Sequence, residues 1–350
     1  MIGPSLGAEA SQALADLARA AGRAAAADDV VGDSLTLAAS RGQGLPLPGG
    51  GRTAELWSAL ATLGAVDLTV ARAVEPHLDA LAILAEADTP GRARPQAAAW
   101  GVYAAEARGQ RLSAVQEADG WVLDGHKAWC SLAQRASHAL VTAWVDEGTR
   151  GLFAVDLREP GVQPVPTRGA WVSHGLPQIT SCGVDFERVA ADPVGEIGWY
   201  LTRPGFAWGG VGVAAIWFGG AVAVARRVAQ HVAQRSADQI AHLHIGRLDL
   251  ALSASRHALA AAAMAADSTR MNAGPTGLEA ARARSTVAAA VDTVIQVADH
   301  AMGPAPLAHD AEHAQRISDL RLYVRQHHAE RDVADLGDRV LRSAPTGSPW

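Results

Sequence analysis

Three hydrophobic textures follow one another along the chain. Up to residue 98 the apolar positions recur every three or four residues. In Thr53 to Ala87 they run Leu56, Leu60, Leu63, then Val70, Ala73 and Val74, which predicts helices lying on a core. The "LPLPGGGR" just before is a breaker, and no Gly-Lys-Ser/Thr follows its glycines, so it reads as a linker and not a phosphate loop. From 99 to 198 the period drops to two. "WVLDGHKAWCS" alternates about Asp124-Gly125, read as a tight turn, and "HALVTAWV", "GLFAVDL" and "SCGVDFERV" are short strands separated by "DEGTRG" and "EPGV". A small barrel or sandwich is expected there. From 203 to 345 the helical period returns in three long amphipathic segments, with a fourth beginning near "HAQRISDL". Strands and helices do not alternate, which argues against a doubly wound nucleotide-binding fold. The expected class is α+β, mostly α: an N-terminal helical domain (1–98), a central β domain (99–198) and a C-terminal helical bundle (203–345).

Composition narrows the setting. The 350 residues are 49% hydrophobic, enough for a sizeable core, and the net charge of −6 argues against a general nucleic-acid binder. The two cysteines, Cys130 and Cys182, show no zinc spacing, and a reducing, cytoplasmic setting is expected. The N-terminus reads as an alanine-rich amphipathic helix and not as a signal peptide. Phe206 to Ala225 carries no charge over 20 residues, long enough for a bilayer. Five of those residues are glycine and Arg226-Arg227 follow directly, so a helix buried among helices is the preferred reading.

Candidate chemistry concentrates near the end. "LYVRQHHAERD" sets His327 and His328 side by side among arginines, as a metal site, an acid/base centre or a solvated helix face. "HDAEH" places His309 and His313 four apart, on one helical face; without a His-Glu-x-x-His order a polar surface is preferred, and no metal is expected. "HLHIGR" reads as a helix surface or subunit contact. No Gly-x-Ser-x-Gly elbow supports hydrolase chemistry. Trp199, Trp208 and Trp217 gather at the β-to-helix junction, either as an aromatic pocket or as core filling.

Three stretches carry a family resemblance: "DGWVLDGHKAWCSLAQRASHALVTAWV", "GLPQITSCGVDFERV" and "HAMGPAPLAHDAEHAQRISDLRLYVRQHH". With the helix, β, helix order, they resemble the acyl-CoA dehydrogenase superfamily of flavoproteins over most of residues 55–342. The resemblance implies a helical domain, a β-barrel and a four-helix bundle, with FAD between barrel and bundle, a homodimer or homotetramer, and a small-molecule substrate such as an acyl thioester. Residue by residue, it sets Trp129 against the flavin ring and Ser131 at its polar edge, which suits stacking and hydrogen bonding. It sets Arg235 toward a neighbouring subunit's pyrophosphate, Gly303 at a turn beside the adenosine half, and Glu106 and Gly109 in the first flavin-contacting turn.

The departures are as informative. In "AAEARGQR" the family's threonine and serine positions hold alanine and glutamine. "RSADQ" stands where Phe-Gly is usual, Gly246 falls at an inter-subunit glutamine, and Pro304 replaces the second glycine after Gly303. The two positions where relatives keep a catalytic carboxylate fall on His327 and Gly209. His327 is therefore the candidate catalytic residue, since a histidine near its neutral pKa can give or take a proton. The expectation is an FAD-dependent oxidoreductase of acyl-CoA dehydrogenase type with an altered substrate. The alternatives are a monooxygenase of the same fold using reduced flavin and oxygen, and a non-catalytic flavoprotein or scaffold.

Overall fold

The structure, a computed structural model, describes residues 8–87, 98–165, 171–268 and 276–343. Helices α1 (Ala8–Ala25), α2 (Val30–Arg41), α3 (Thr53–Val66) and α4 (Leu68–Glu86) come first. The periodic stretch from Thr53 breaks at Asp67, whose extended backbone ends α3. Its carboxylate accepts from the Val70 N–H at 2.9 Å and so caps α4.

Seven strands follow: β1 (Trp100–Tyr103), β2 (Leu112–Glu117), β3 (Gly120–Ser131), β4 (His138–Trp144), β5 (Arg150–Asp156), β6 (Val162–Val165) and β7 (Ser181–Pro193). The path β4-β2-β3-β7-β5 returns to β4, closing a small barrel, with β1 added on β4 and β6 on β7. Phe153, Phe186, Leu112, Leu123 and Val184 fill its core. The Asp124-Gly125 pair is not the hairpin turn expected from the alternation. Strand β3 runs straight through it, and the turn to β2 lies just before Gly120, which pairs with Glu117. The register against β7 shifts between Leu123 and Gly125, a β-bulge.

Helix α5 (Trp199–Thr202) leads into the bundle of α6 (Gly205–Ala233), α7 (Gln239–Ser268), α8 (Thr276–Met302), α9 (Ala305–His309), α10 (Ala311–Tyr323) and α11 (Glu330–Ser343). Helix α6 is long and apolar enough to cross a membrane by length and composition, but 72% of that window is buried inside the protein. It lies between α3 and α8. A Cβ at Gly64 would strike the Ile216 carbonyl, and one at Gly219 the Ala61 carbonyl, so these paired glycines let the α3 and α6 backbones touch. Such close packing explains the glycine content of an otherwise bilayer-like segment.

Two helical expectations change at the C-terminal end. His309 closes α9 while His313 lies in α10, and Asp310 between them caps α10 by accepting from the His313 N–H at 3.1 Å. The two histidines therefore do not share a helical face. The 322–332 run is likewise broken. Helix α10 stops at Tyr323, a single 3-10 turn follows, His327 is extended (φ −86°, ψ 123°) and Ala329 is left-handed (φ 49°). Asp332, in the first turn of α11, reaches back to the His328 N–H at 3.1 Å. That bond satisfies an amide at the start of α11 and makes a new helix begin where a continuous one was expected.

Candidate active site

At the barrel edge, β3 ends in an irregularity that turns Trp129 outward. Its backbone is left-handed (φ 60°) and its side chain is 61% exposed, unusual for so large an apolar group. Two residues on, the Ser131 and Ser181 hydroxyls lie 2.7 Å apart, and Arg72 Nη2 donates to Ser131 Oγ at 3.3 Å. A bare indole beside polar donors fits the ring and edge of a flavin. Glu106 is placed otherwise than as a free flavin contact. Its carboxylate accepts from Lys127 Nζ at 2.6 Å, from Arg150 at 3.1 Å and from Trp144 Nε1 at 3.3 Å. Lys127 is 2% exposed and also donates to Thr142 at 2.8 Å. Glu106 thus neutralises a lysine buried in the barrel. Burial works against its charge, yet the Lys127 contact, helped by Arg150 and Trp144, holds the carboxyl below its ordinary range. Gly109 (φ 77°) shapes the exposed turn beyond it.

In the bundle, Arg235 is exposed just past the end of α6. Gly303 (φ 68°) closes α8, its N–H donating to the Asp299 carbonyl at 3.0 Å. A left-handed terminus of this kind favours glycine. Among the described residues, neither Arg235 nor Gly303 shares a hydrogen bond, ion pair or ring contact with Trp129 or Ser131.

His327 lies in a cleft of about 980 Å3 walled by α4, the α5–α6 junction, α8 and α11. It is 5% exposed. The Ala329 N–H donates to its Nδ1 at 3.2 Å, which leaves the proton on Nε2, 3.2 Å from Ser285 Oγ. Burial lowers its pKa, partly offset by Asp332 at 3.8 Å, while Arg284 and Arg325 lower it further. The imidazole is therefore neutral at pH 7. His328 points to solvent and pairs with Asp332 at 3.2 Å.

The sequence reading missed Glu75 and Asp79, one turn apart on α4, which line the same cleft. Burial raises both. Glu75 reaches about 7, with Arg72 and Arg284 pulling down and Asp79 pushing up, and Asp79 is opposed by Arg203. The i, i+4 pairing of carboxylates in "EPHLD" was the available signal, but α4 otherwise reads as a core helix. Arg284 donates to the Gly210 and Gln326 carbonyls at 2.5 and 3.2 Å, bracing the turn that carries His327. Of the three tryptophans, Trp208 lines the cleft, Trp217 is fully buried against Tyr323, and Trp199 packs on a separate small core. Pocket and core readings thus divide among them. Among the described residues no three His, Cys, Asp or Glu side chains converge on a metal position.

This helix, barrel and bundle arrangement, with its cleft at the junction, is the acyl-CoA dehydrogenase fold. Among solved structures, that of FMN-bound TdsC from Paenibacillus sp. A11-2 is 18% identical, covering 96% of this chain and 98% of that one at a TM-score of 0.77. TdsC is described as a dibenzothiophene monooxygenase. KijD3 in complex with FMN and a dTDP-linked keto-sugar gives 16% identity, 99% and 96% coverage and a TM-score of 0.79. Butyryl-CoA dehydrogenase from Megasphaera elsdenii gives 17%, 97% and 100%, and 0.75. No protein-family model and no curated protein sequence matches the chain. At these identities the shared property is the fold.

Proposed function

We propose that the chain is a flavin-dependent oxidoreductase acting on a small molecule in the cleft beside His327. The observation that carries this reading is Arg72. One end of its guanidinium meets Ser131 at 3.3 Å, the other lies 3.6 Å from Glu75, so a single side chain joins the indole edge to the cleft. Trp129 would stack on the flavin ring, and Ser131 and Arg72 would address its polar edge. The flavin would supply the two-electron redox chemistry. The chain's residues hold the ring, shape the cleft and set the local proton balance.

Monooxygenation with reduced flavin and oxygen is the preferred reaction, because a neutral histidine stands where acyl-CoA chemistry needs an ionised carboxylate. FMN-bound TdsC and KijD3 share the fold, which supports this choice. Dehydrogenation of an altered substrate is the second reading, favoured by the Glu75 carboxyl in the same cleft. The adenosine half of FAD would meet Gly303 followed by a proline without an N–H, and no glutamine at 246. These gaps favour FMN over the FAD expected from the sequence.

A visible spectrum of the purified chain, alone and after adding FMN or FAD, tests the reading. Flavin absorbance with saturable uptake is expected, and Trp129→Ala should weaken uptake several-fold, about 1 kcal/mol of stacking. No flavin and no uptake would leave only a scaffold. Anaerobic bleaching of bound flavin by an acyl-CoA would favour dehydrogenation. Oxygen-dependent turnover of reduced flavin that slows in His327→Ala would favour monooxygenation.

A further inference from the structure

The resemblance puts one of the two usual carboxylate positions at residue 209, on α6, where this chain has glycine. The space is not left apolar. A Cβ at Gly209 would stand 2.8 Å from Asp79 Oδ1, so the Asp79 carboxyl from α4 already reaches the region a 209 side chain would enter, and Glu75 lies one helical turn before it on the same cleft. We propose that Glu75 is the proton-exchanging residue of the cleft, delivered from α4 in place of a base on α6 or at position 327. This rests on the flavin-dependent reading of the same cleft.

Glu75 and Asp79 each lie 3.6 Å from one guanidinium, but the arginine beside Glu75, Arg72, also meets Ser131 at the barrel edge, which sets Glu75 on the side of the proposed flavin. Asp79 faces the guanidinium of Arg203 at 3.6 Å, and Arg203 is itself held by Glu86 at 2.5 Å. His327 is engaged on both ring nitrogens. Glu75 is only 13% exposed, yet among the described residues its carboxylate receives no hydrogen bond; Arg72 Nη1 lies 3.6 Å away. A buried carboxyl in that state keeps acceptor capacity for a bound molecule.

The charged and titratable groups around Glu75 come from every wall. Arg72 and Asp79 share α4, Arg284 comes from α8, Tyr200 from α5 and Tyr323 from α10. Among the described residues the buried Tyr323 Oη has no hydrogen-bond partner, which leaves a donor unused in the same neighbourhood. Desolvation outweighs the two arginines, so the carboxyl changes charge near pH 7, where proton transfer in either direction is accessible. In the step itself the protonated Glu75 carboxyl would give one proton to oxygen as oxygen takes two electrons from the reduced flavin. The O–H electron pair stays on the carboxylate, which is then reprotonated from solvent.

Two readouts test the proposal on the full chain. In protein carrying [13C]carboxyl-labelled glutamate, one resonance should titrate near pH 7 and be missing in Glu75→Gln. In FMN-loaded, dithionite-reduced protein, the rate of reoxidation by oxygen, followed from about pH 5.5 to 8.5, should show an inflection near 7. Glu75→Gln should flatten the profile and slow it by about 10²-fold. Glu75→Asp should keep a displaced inflection, which separates loss of the carboxyl from loss of the fold, and His327→Ala should keep the inflection. An inflection that survives in Glu75→Gln, or a wild-type chain with no glutamate titrating near neutrality, overturns the proposal. Failure to take up flavin would sink the flavin reading alone, because the carboxyl titration needs none.

Discussion

In the barrel, Lys127 sits 2.6 Å from Glu106, and Thr142, Trp144 and Arg150 complete the polar contacts of the pair. Across the junction, Arg72 stands 3.6 Å from Glu75, and no donor among the described residues completes the carboxylate. Both glutamates lie beside a cation, yet one is held below its ordinary pKa and the other rises to about 7. The difference shows that a nearby positive charge does not by itself decide ionisation inside a protein; the depth of burial and the hydrogen bonds that replace the lost water do. The saturated pair holds a barrel together, and the unsaturated one keeps a proton in play.

The comparison can be broken from the barrel side first. Glu106→Ala leaves the Lys127 ammonium buried with Thr142 alone, and a loss of about 3 kcal/mol is expected from denaturant midpoints at neutral pH. Because the folded pKa of Glu106 is depressed, its contribution is present above the unfolded value near 4.5 and fades as pH falls through the folded one.

Glu75 should behave in the opposite sense. The unfolded chain releases its proton near 4.5 and the folded chain near 7. The folded state therefore binds more protons in between, and stability falls as pH rises through that window. Glu75→Gln should remove this slope and leave the variant more stable than wild type above pH 7, by about 2 kcal/mol, measured by thermal unfolding across pH. A stabilised but slower variant would be the expected signature of a functional carboxyl. The smallest effect is expected for Arg72→Met. Loss of the distant ion pair should push the Glu75 titration above 7 by less than about one pH unit. An unchanged titration would show that desolvation alone sets it.

Much of the fold was legible in one dimension. The switch of period from 3.6 to 2 and back located helices, barrel and bundle, because each element buries one face. Breaks within elements were harder. Asp67 splits one helical run and Asp332 starts another, both by a single side-chain hydrogen bond that periodicity does not register. The Asp124-Gly125 pair looked like a turn because that dipeptide tolerates turn geometry, but pairing with both β2 and β7 holds it in a bulged strand. Of the candidate site, Trp129 and Ser131 came from a local motif and sit together at the barrel edge. Glu106 came from a second stretch, "AAEARGQR", and accepts from Lys127 at 2.6 Å.

The sequence by itself determined where helices and strands form, that a bilayer-length segment carries packing glycines, and that no carboxylate stands at position 327 or 209. Local spacing and residue type suffice for these. Only the tertiary structure decided that His327 is buried and neutral, and that Glu75 opens on the same cleft with its charge poorly satisfied. Residues 75 and 327 are 252 positions apart. Their protonation depends on which helix ends and guanidinium groups fold around them, and desolvation is a property of the packed protein, with no counterpart in the order of residues along the chain.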